Sequence, residues 1–243
     1  MDKAALTVWI ENFIRQDSLN ISIVRLRRAL GAVAAVYLVG GAIRDIAIRA
    51  IHGRQIQVKD IDLFIEGVES LGALEPQLAG DRFETTDLGG LRWHPHDSKY
   101  PFDLCLMKDF VVLRKYGWAP NLENLLACID FTIDAVAYDI GAGELFERGA
   151  IADIEHRWLA FNTRQFYSRT AVAYRVLWLI YKTDFTLSPG VFDFLRSGID
   201  LDTLTKVKAI FVFRKGKPVA RRILKEYDRL SALHNYSDYC RGR

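Results

Sequence analysis

With 243 residues, half of them hydrophobic and 26% charged, the chain can bury one large core or two small ones, and its composition is that of a globular protein, not a disordered one. A formal net charge of +3 makes no case for nucleic acid by itself. The three cysteines, Cys105, Cys128 and Cys240, are odd in number, widely separated and free of C-x-x-C spacing, so they indicate neither a disulfide framework nor a cysteine zinc site and point to a reducing, cytoplasmic setting.

The opening "MDKAALTVWIENFIRQ" carries an acid at position 2 and interrupts its apolar pattern at Glu11, which is unlike a secretory signal. The longest uncharged run, Ala29 to Ile43, is too short to cross a bilayer and holds a Gly-Gly pair, so no membrane segment is expected. Apolar residues recurring every three and four positions predict helices over Ala4 to Arg15 and Ile21 to Ala35. "VYLVGG" then reads as a buried strand ending in a glycine turn, and "AIRDIAIRAIHG" as a helix closed by Gly53. A strand is expected over Val58 to Ile65 and a helix over Ser70 to Ala79. "RFETTDLGGLRW" and "YPFDLCLM" read as further strands, separated by the turn-rich "HPHDSK". Beyond residue 150, "AIADIEHRWLAF" and "RQFYSRTAVAYRVLWLIYKTDF" have helical periodicity, and only "KAIFVF" suggests another strand. The expected organisation is a small α/β domain over 1–150 followed by a mostly helical domain over 151–243.

Chemistry concentrates in the first part. In "VKDIDLF" the alternation of a strand turns Ile61 and Leu63 inward and puts Asp60 and Asp62 together on the other face. Two adjacent carboxylates repel unless a positive charge stands between them, and a divalent cation with oxygen ligands is the usual solution. The alternative is an amphipathic edge strand with a solvated face. Asp103 in "YPFDLCLM" shows the same alternation and would complete a carboxylate triad if the two strands are neighbours. Upstream, Gly40 and Gly41 stand where a strand turns into a helix, a place where unpaired N–H groups point outward and a phosphate can approach the backbone. Arg44, one turn into that helix, carries a guanidinium suited to bidentate phosphate contact. A tight turn that only packs the helix is the plain alternative.

Near the C-terminus, "FRKGKPVARRILKEYDR" places Arg221, Arg222, Lys225 and Arg229 on one side of a helix whose other side is Val219, Ile223 and Leu230. Such a face can bind a phosphate backbone or simply be solvated. "WHPHD" offers His94 and His96 at alternate positions, a spacing open to a metal, without a third ligand nearby. The rings of Phe161, Phe166, Tyr167, Tyr174, Trp178 and Tyr181 read as the core of a helix.

Taken in order, "YLVGGAIRD", "KDIDLF" and "NLENLLACIDFTIDAVAYD" resemble the head domain of the class II tRNA nucleotidyltransferases (CCA-adding enzymes) and bacterial poly(A) polymerases. Members show leucine-valine-Gly-Gly-x-x-Arg-Asp, then Lys-Asp-x-Asp, then Arg-Arg-Asp-Phe-Thr-Ile-Asn-Ala. The first two motifs match closely. The third matches at Asp130, Phe131, Thr132, Ile133 and Ala135, but Cys128 and Ile129 replace the arginine pair and Asp134 replaces the asparagine. Further on, "QFYSR" stands where the family has its base template, Glu-Asp-x-x-Arg. Arg169 fits the template arginine and Arg175 a following neck arginine, whereas Gln165 and Phe166 replace the acids.

The resemblance implies a DNA polymerase β-like nucleotidyltransferase head with a small mixed sheet, an α/β (α+β) fold, followed by a helical neck. By that analogy Asp60, Asp62 and Asp103 bind two magnesium ions and activate an attacking hydroxyl, and Gly40, Gly41 and Arg44 hold the triphosphate. Asp45 and Asp130 support the sugar or orient neighbouring arginines, and Arg169 and Arg175 meet the nucleotide. The expected reaction moves a nucleoside monophosphate from a triphosphate, ATP or CTP, to an RNA 3′ hydroxyl, with Arg221, Arg222, Lys225 and Arg229 on the RNA. Losing the arginine pair removes charge-assisted hydrogen bonds of roughly 1.5–3 kcal/mol each, and losing the acidic template removes acceptors for the amino edges of cytosine and adenine. Altered base choice is therefore expected. Missing counterparts of the family's tRNA-gripping regions leave transfer to a protein or small-molecule hydroxyl open as one alternative, and the lost arginine pair leaves a non-catalytic nucleotide- or RNA-binding module as another.

Overall fold

The computed structural model describes residues 1–86 and 90–242 and divides into two compact units, Met1–Glu155 and His156–Arg243. The division falls after α7 (Ala150–Glu155), not at residue 150. This short helix packs on α3 (Gly41–His52) in the first unit, where the His52 ring meets the Ile154 carbonyl at 2.7 Å and Thr132 bonds Asp153.

The first unit opens with α1 (Lys3–Ile14), capped by the Asp2 carboxylate accepting from the Ala5 N–H, and α2 (Asp17–Leu30). The latter ends five residues earlier than expected because Gly31 takes φ +84°, a conformation that breaks the helix, and Ala35 already belongs to a strand. Seven strands form one sheet: β1 (Ala35–Val39), β2 (Ile61–Glu66), β3 (Arg82–Thr85), β4 (Leu91–His94), β5 (Phe102–Leu106), β6 (Val136–Asp139) and β7 (Glu144–Glu147). Their order is β3-β4-β5-β2-β1-β6-β7. Only β2 and β5 run parallel; every other pairing is antiparallel.

Alternation sets the two faces of this sheet. Leu38, Ile61, Leu63, Ile65, Phe102 and Leu104 are buried on the face covered by α1 and α3. On the opposite face Val39 and Ala137, with the partly buried Tyr37 and Phe64, pack against α5 (Val111–Tyr116), α6 (Leu122–Cys128) and Met107 of the short 3-10 turn Met107–Asp109. The end of that face bearing Asp62 and Asp103 is left polar.

The expected strand "RFETTDLGGLRW" is a hairpin of β3 and β4. The Thr86 N–H donates to the Gly90 carbonyl at 2.8 Å, and the Thr86 hydroxyl accepts from the Gly90 N–H, which closes the turn; residues 87–89 of that stretch lie outside the described residues. The helix expected over Ser70 to Ala79 is the single turn α4 (Leu74–Gln77).

The second unit holds α8 (Arg169–Thr183), α9 (Pro189–Ser197), α10 (Leu201–Lys215), α11 (Lys217–Ser231) and α12 (Tyr236–Arg241). Two short strands, β8 (Trp158–Leu159) and β9 (Thr186–Leu187), pair in parallel, a feature the helical reading did not include. "KAIFVF" is helical, within α10: Val207 and Phe211, four apart and fully buried, face α8, so packing on a helical stripe overrides local strand preference. The hydroxyl of Tyr239 accepts from the Leu187 N–H while that of Tyr236 donates to the Leu187 carbonyl, tying α12 to β9. Among the described residues no helix is long and apolar enough to cross a membrane.

Candidate active site

The glycine turn lies at the end of β1. Gly40 takes φ +72°, which only glycine adopts without strain, and its N–H donates to the Val136 carbonyl while its own carbonyl accepts from Arg44. The helix α3 thus starts directly from the strand. Antiparallel pairing of Leu38 with Leu63 leaves this turn at the same end of the sheet as the D-x-D motif.

Asp62 lies in β2 with its inward neighbours Ile61 and Leu63 buried, and Asp60 is exposed one residue before the strand begins. Parallel pairing sets Asp62 directly beside Asp103 of β5. The sequence motif and the more distant acid therefore meet in one cross-strand row.

The row continues to a residue that the sequence reading did not single out. Arg92 of β4 is the antiparallel partner of Asp103, and it clamps that carboxylate with both arms of its fork: Nε donates to Oδ1 at 2.6 Å and Nη2 to Oδ2 at 2.5 Å. The Arg92 pKa is raised, first by the hydrogen bond to Asp103, against the opposing effect of burial, and then by the charges of Asp103, Asp60 and Asp62. The guanidinium thus feels all three carboxylates. The sequence holds only the alternation in "LRWH", which sets Arg92 on the face opposite Trp93, fully buried in the structure; it does not hold the register that brings Arg92 to Asp103.

Arg44, expected to meet phosphate, is 6% exposed. Its Nη1 donates to Asp134 Oδ1 at 2.5 Å, and Nε and Nη2 donate to Asp45 Oδ1 at 3.0 Å. Burial works to lower its pKa, but the charges of Asp134 and Asp45 outweigh that and raise it. Asp134, the departure from the family's asparagine, is therefore an ion-pair partner. Asp45 and Asp130 are both buried. Near Asp130, burial first and then that carboxylate's charge push the Cys128 thiol up to about 12, so the residue replacing an arginine is an inert neutral group.

A hard divalent cation takes oxygen ligands, and the donor chemistry of Asp60, Asp62 and Asp103 fits one. Among the described residues, however, no three His, Cys, Asp or Glu side chains are gathered closely enough to hold a metal ion. The physical reason lies in the row itself, since both Asp103 oxygens are turned onto Arg92. The two histidines of "WHPHD" are each turned to a carboxylate: His96 Nδ1 meets Asp81 Oδ1 at 2.6 Å and His94 lies 3.5 Å from Glu84.

In the second unit Arg169 opens α8 behind the Ser168 cap, and Arg175 follows on the same helix; both are exposed. Phe166, at the altered template, packs against Phe161 and Phe194 with ring centroids 4.9 and 5.7 Å apart, and Tyr167 is exposed. Arg221, Arg222, Lys225 and Arg229 all lie exposed on α11, opposite the buried Ala220, Ile223, Tyr227 and Leu230.

No protein-family model and no curated protein matches the sequence. Solved structures do. A CCA-adding enzyme in complex with CTP superposes with a TM-score of 0.66 at 18% identity, over 94% of this chain and 55% of that one. A Thermotoga maritima CCA-adding enzyme complexed with tRNA gives 0.63 at 19%, over 94% and 54%. A CCA-adding enzyme complexed with ATP gives 0.58 at 17%, over 87% and 53%. The fold is that of the CCA-adding enzymes. Its mixed sheet and following helices share that fold at low sequence identity, and the chain spans about half the length of the structures it matches.

Proposed function

We propose that the chain is a cytoplasmic nucleotidyltransferase that moves a nucleoside monophosphate from a nucleoside triphosphate, ATP or CTP, to an RNA 3′ hydroxyl. The observation that carries this reading is the in-register pairing of Asp62 and Asp103 at the sheet end where the Gly40-Gly41 turn opens α3. The hydroxyl oxygen attacks the α-phosphorus and gives up its proton to a carboxylate of the Asp60, Asp62 and Asp103 group, the bond to the β-phosphate breaks, and pyrophosphate leaves. Asp60, Asp62 and Asp103 would hold magnesium, which when bound supplies positive charge for the entering and leaving oxygens. Backbone N–H groups that open α3 after the Gly40-Gly41 turn take the triphosphate, while the buried Arg44 fixes that turn from within. Asp45 and Asp130 hold neighbouring groups in place, and Arg169 and Arg175 meet the nucleotide.

The base is selected differently from the family's acidic template. Gln165 and the ring of Phe166 stand at the two acid positions, so recognition relies on shape and stacking more than on acceptors for an amino edge. The RNA acceptor is supported by the basic exposed face of α11.

Incubation with each labelled triphosphate, magnesium and total RNA tests the proposal. Label at RNA 3′ ends, lost in Asp62→Asn, is expected. Label only on a protein or a small metabolite would replace the acceptor, and nucleotide binding without any transfer would leave a binding module.

A further inference from the structure

The carboxylate row has its own cation. Across four strands the register sets Glu84, Arg92, Asp103 and Asp62 side by side, and the Arg92 fork occupies both oxygens of Asp103. A divalent ion at Asp103 would stand within a few ångströms of that guanidinium and would need the same oxygens. We propose that Arg92 is the resident counter-ion of this row and that a divalent cation and Arg92 compete for Asp103, with Glu84 receiving the displaced guanidinium. This rests on the nucleotidyl-transfer reading of the site.

Glu84 is suited to that part. It is the direct cross-strand partner of Arg92 on the side away from Asp103, so it shares the same face of the sheet. It lies beside Arg82 at 3.2 Å and His94 at 3.5 Å. The row therefore offers Arg92 an acid on either side. In the absence of metal it neutralises the acid cluster and the fold does not depend on a metal; with metal it moves one strand outward. Such an exchange sets a threshold of cation concentration for assembling the site.

Mn²⁺ binding without nucleotide, followed by the free-ion signal in electron paramagnetic resonance, tests this on the full chain. Arg92→Gln is expected to bind Mn²⁺ at least about tenfold more tightly than the parent, since a repelling unit charge a few ångströms away is removed. Arg92→Lys, which keeps the charge but not the fork, should fall between. Glu84→Gln should weaken Mn²⁺ binding when Arg92 is present and have no effect in the Arg92→Gln background. Melting in EDTA should show Arg92→Gln less stable than the parent and restored by Mn²⁺. Should Arg92→Gln not fold, the Arg92→Lys and Glu84→Gln comparisons carry the test alone. Unchanged or weaker Mn²⁺ affinity on removing Arg92, or no Mn²⁺ binding by any form, overturns the proposal. The labelled-triphosphate assay reports separately on the reaction: transfer with unchanged Mn²⁺ affinity discards the competition and keeps the enzyme, and tighter Mn²⁺ binding without transfer does the reverse.

Discussion

Arg44 and Asp134, 90 positions apart in sequence, meet through a 2.5 Å hydrogen bond between Nη1 and Oδ1 beneath the glycine turn. With Asp45 on the other side of the guanidinium, a single buried cation serves two carboxylates. A Cβ added to Gly41 would lie 3.5 Å from Arg44 Nη2, so the pair also supports the turn from inside. Replacing Asp134 by asparagine keeps a hydrogen-bond acceptor and removes one charge, and is expected to cost about 1–3 kcal/mol. Arg44→Met strands both acids and should cost about 3–5 kcal/mol. Urea denaturation at neutral pH measures both, and an Arg44→Met protein as stable as the parent would contradict the pairing.

Another buried carboxylate, Asp81, contributes to stability in acid. Asp81 has a fully buried side chain and accepts hydrogen bonds from Arg25 Nη2 at 2.7 Å, Trp93 Nε1 at 3.0 Å and the His96 N–H at 3.0 Å. Burial alone would raise its pKa, but these bonds and the one to the His96 ring outweigh it and hold the carboxyl below the usual value. A depressed folded pKa means that protonation favours the unfolded chain. The stabilisation is complete above the unfolded value of about 3.9 and is lost as pH falls below it through the folded pKa. Asp81→Asn should remove this acid-side slope, and Asp81→Ala, which leaves Arg25 and the Trp93 N–H without this acceptor, should cost about 3–5 kcal/mol at pH 7. Urea midpoints collected from pH 7 down to 3 provide the check.

The parts of the fold legible in the sequence are those that depend on local periodicity. Ile61 and Leu63 face inward because a strand alternates, and the strand, glycine turn and helix around Gly40 follow from residue type alone. What was not legible depends on register between distant segments. Nothing near Arg92 announces that it opposes Asp103, because that follows from a hairpin closed by Thr86 and Gly90 and from β4 pairing with β5. Nothing around Arg44 in the sequence shows its acid partner Asp134, which arrives from a segment 90 positions later. "KAIFVF" looked like a strand because its β-branched and aromatic residues favour one locally, while Val207 and Phe211 are buried as a helical pair.

The turn itself can be tested at one atom. Gly40 has φ +72° and ψ −119°, so Gly40→Ala carries backbone strain of about 1–3 kcal/mol. There is room for the methyl group, whose nearest neighbour would be the Asp134 carbonyl at 3.6 Å, so the penalty comes from the backbone and not from a clash. The variant is expected to fold with a lowered melting temperature and to bind nucleoside triphosphate more weakly, because the N–H groups at the start of α3 shift with the turn. Calorimetric titration with ATP and CTP beside a thermal melt separates the two effects; full triphosphate affinity in a destabilised Gly40→Ala protein would remove the turn from the binding site.

The basic face of α11 makes a residue-by-residue prediction about RNA. Arg229 is held by Glu226 through two hydrogen bonds of 2.9 and 2.6 Å, so its charge is already matched, whereas Arg221 and Arg222 lie on the exposed side of the helix about two turns earlier. Each cation that meets a phosphate releases a counterion, and for single-stranded RNA its loss flattens the plot of log affinity against log salt by about 0.7. Arg221→Ala and Arg222→Ala should each reduce the slope by about that amount and weaken binding without regard to sequence, while Arg229→Ala should change it little. Fluorescence anisotropy of a labelled oligoribonucleotide over a series of salt concentrations measures the slopes. Equal slopes for all three variants and the parent would mean that RNA does not follow this face of α11, whatever the chemistry at the carboxylate row.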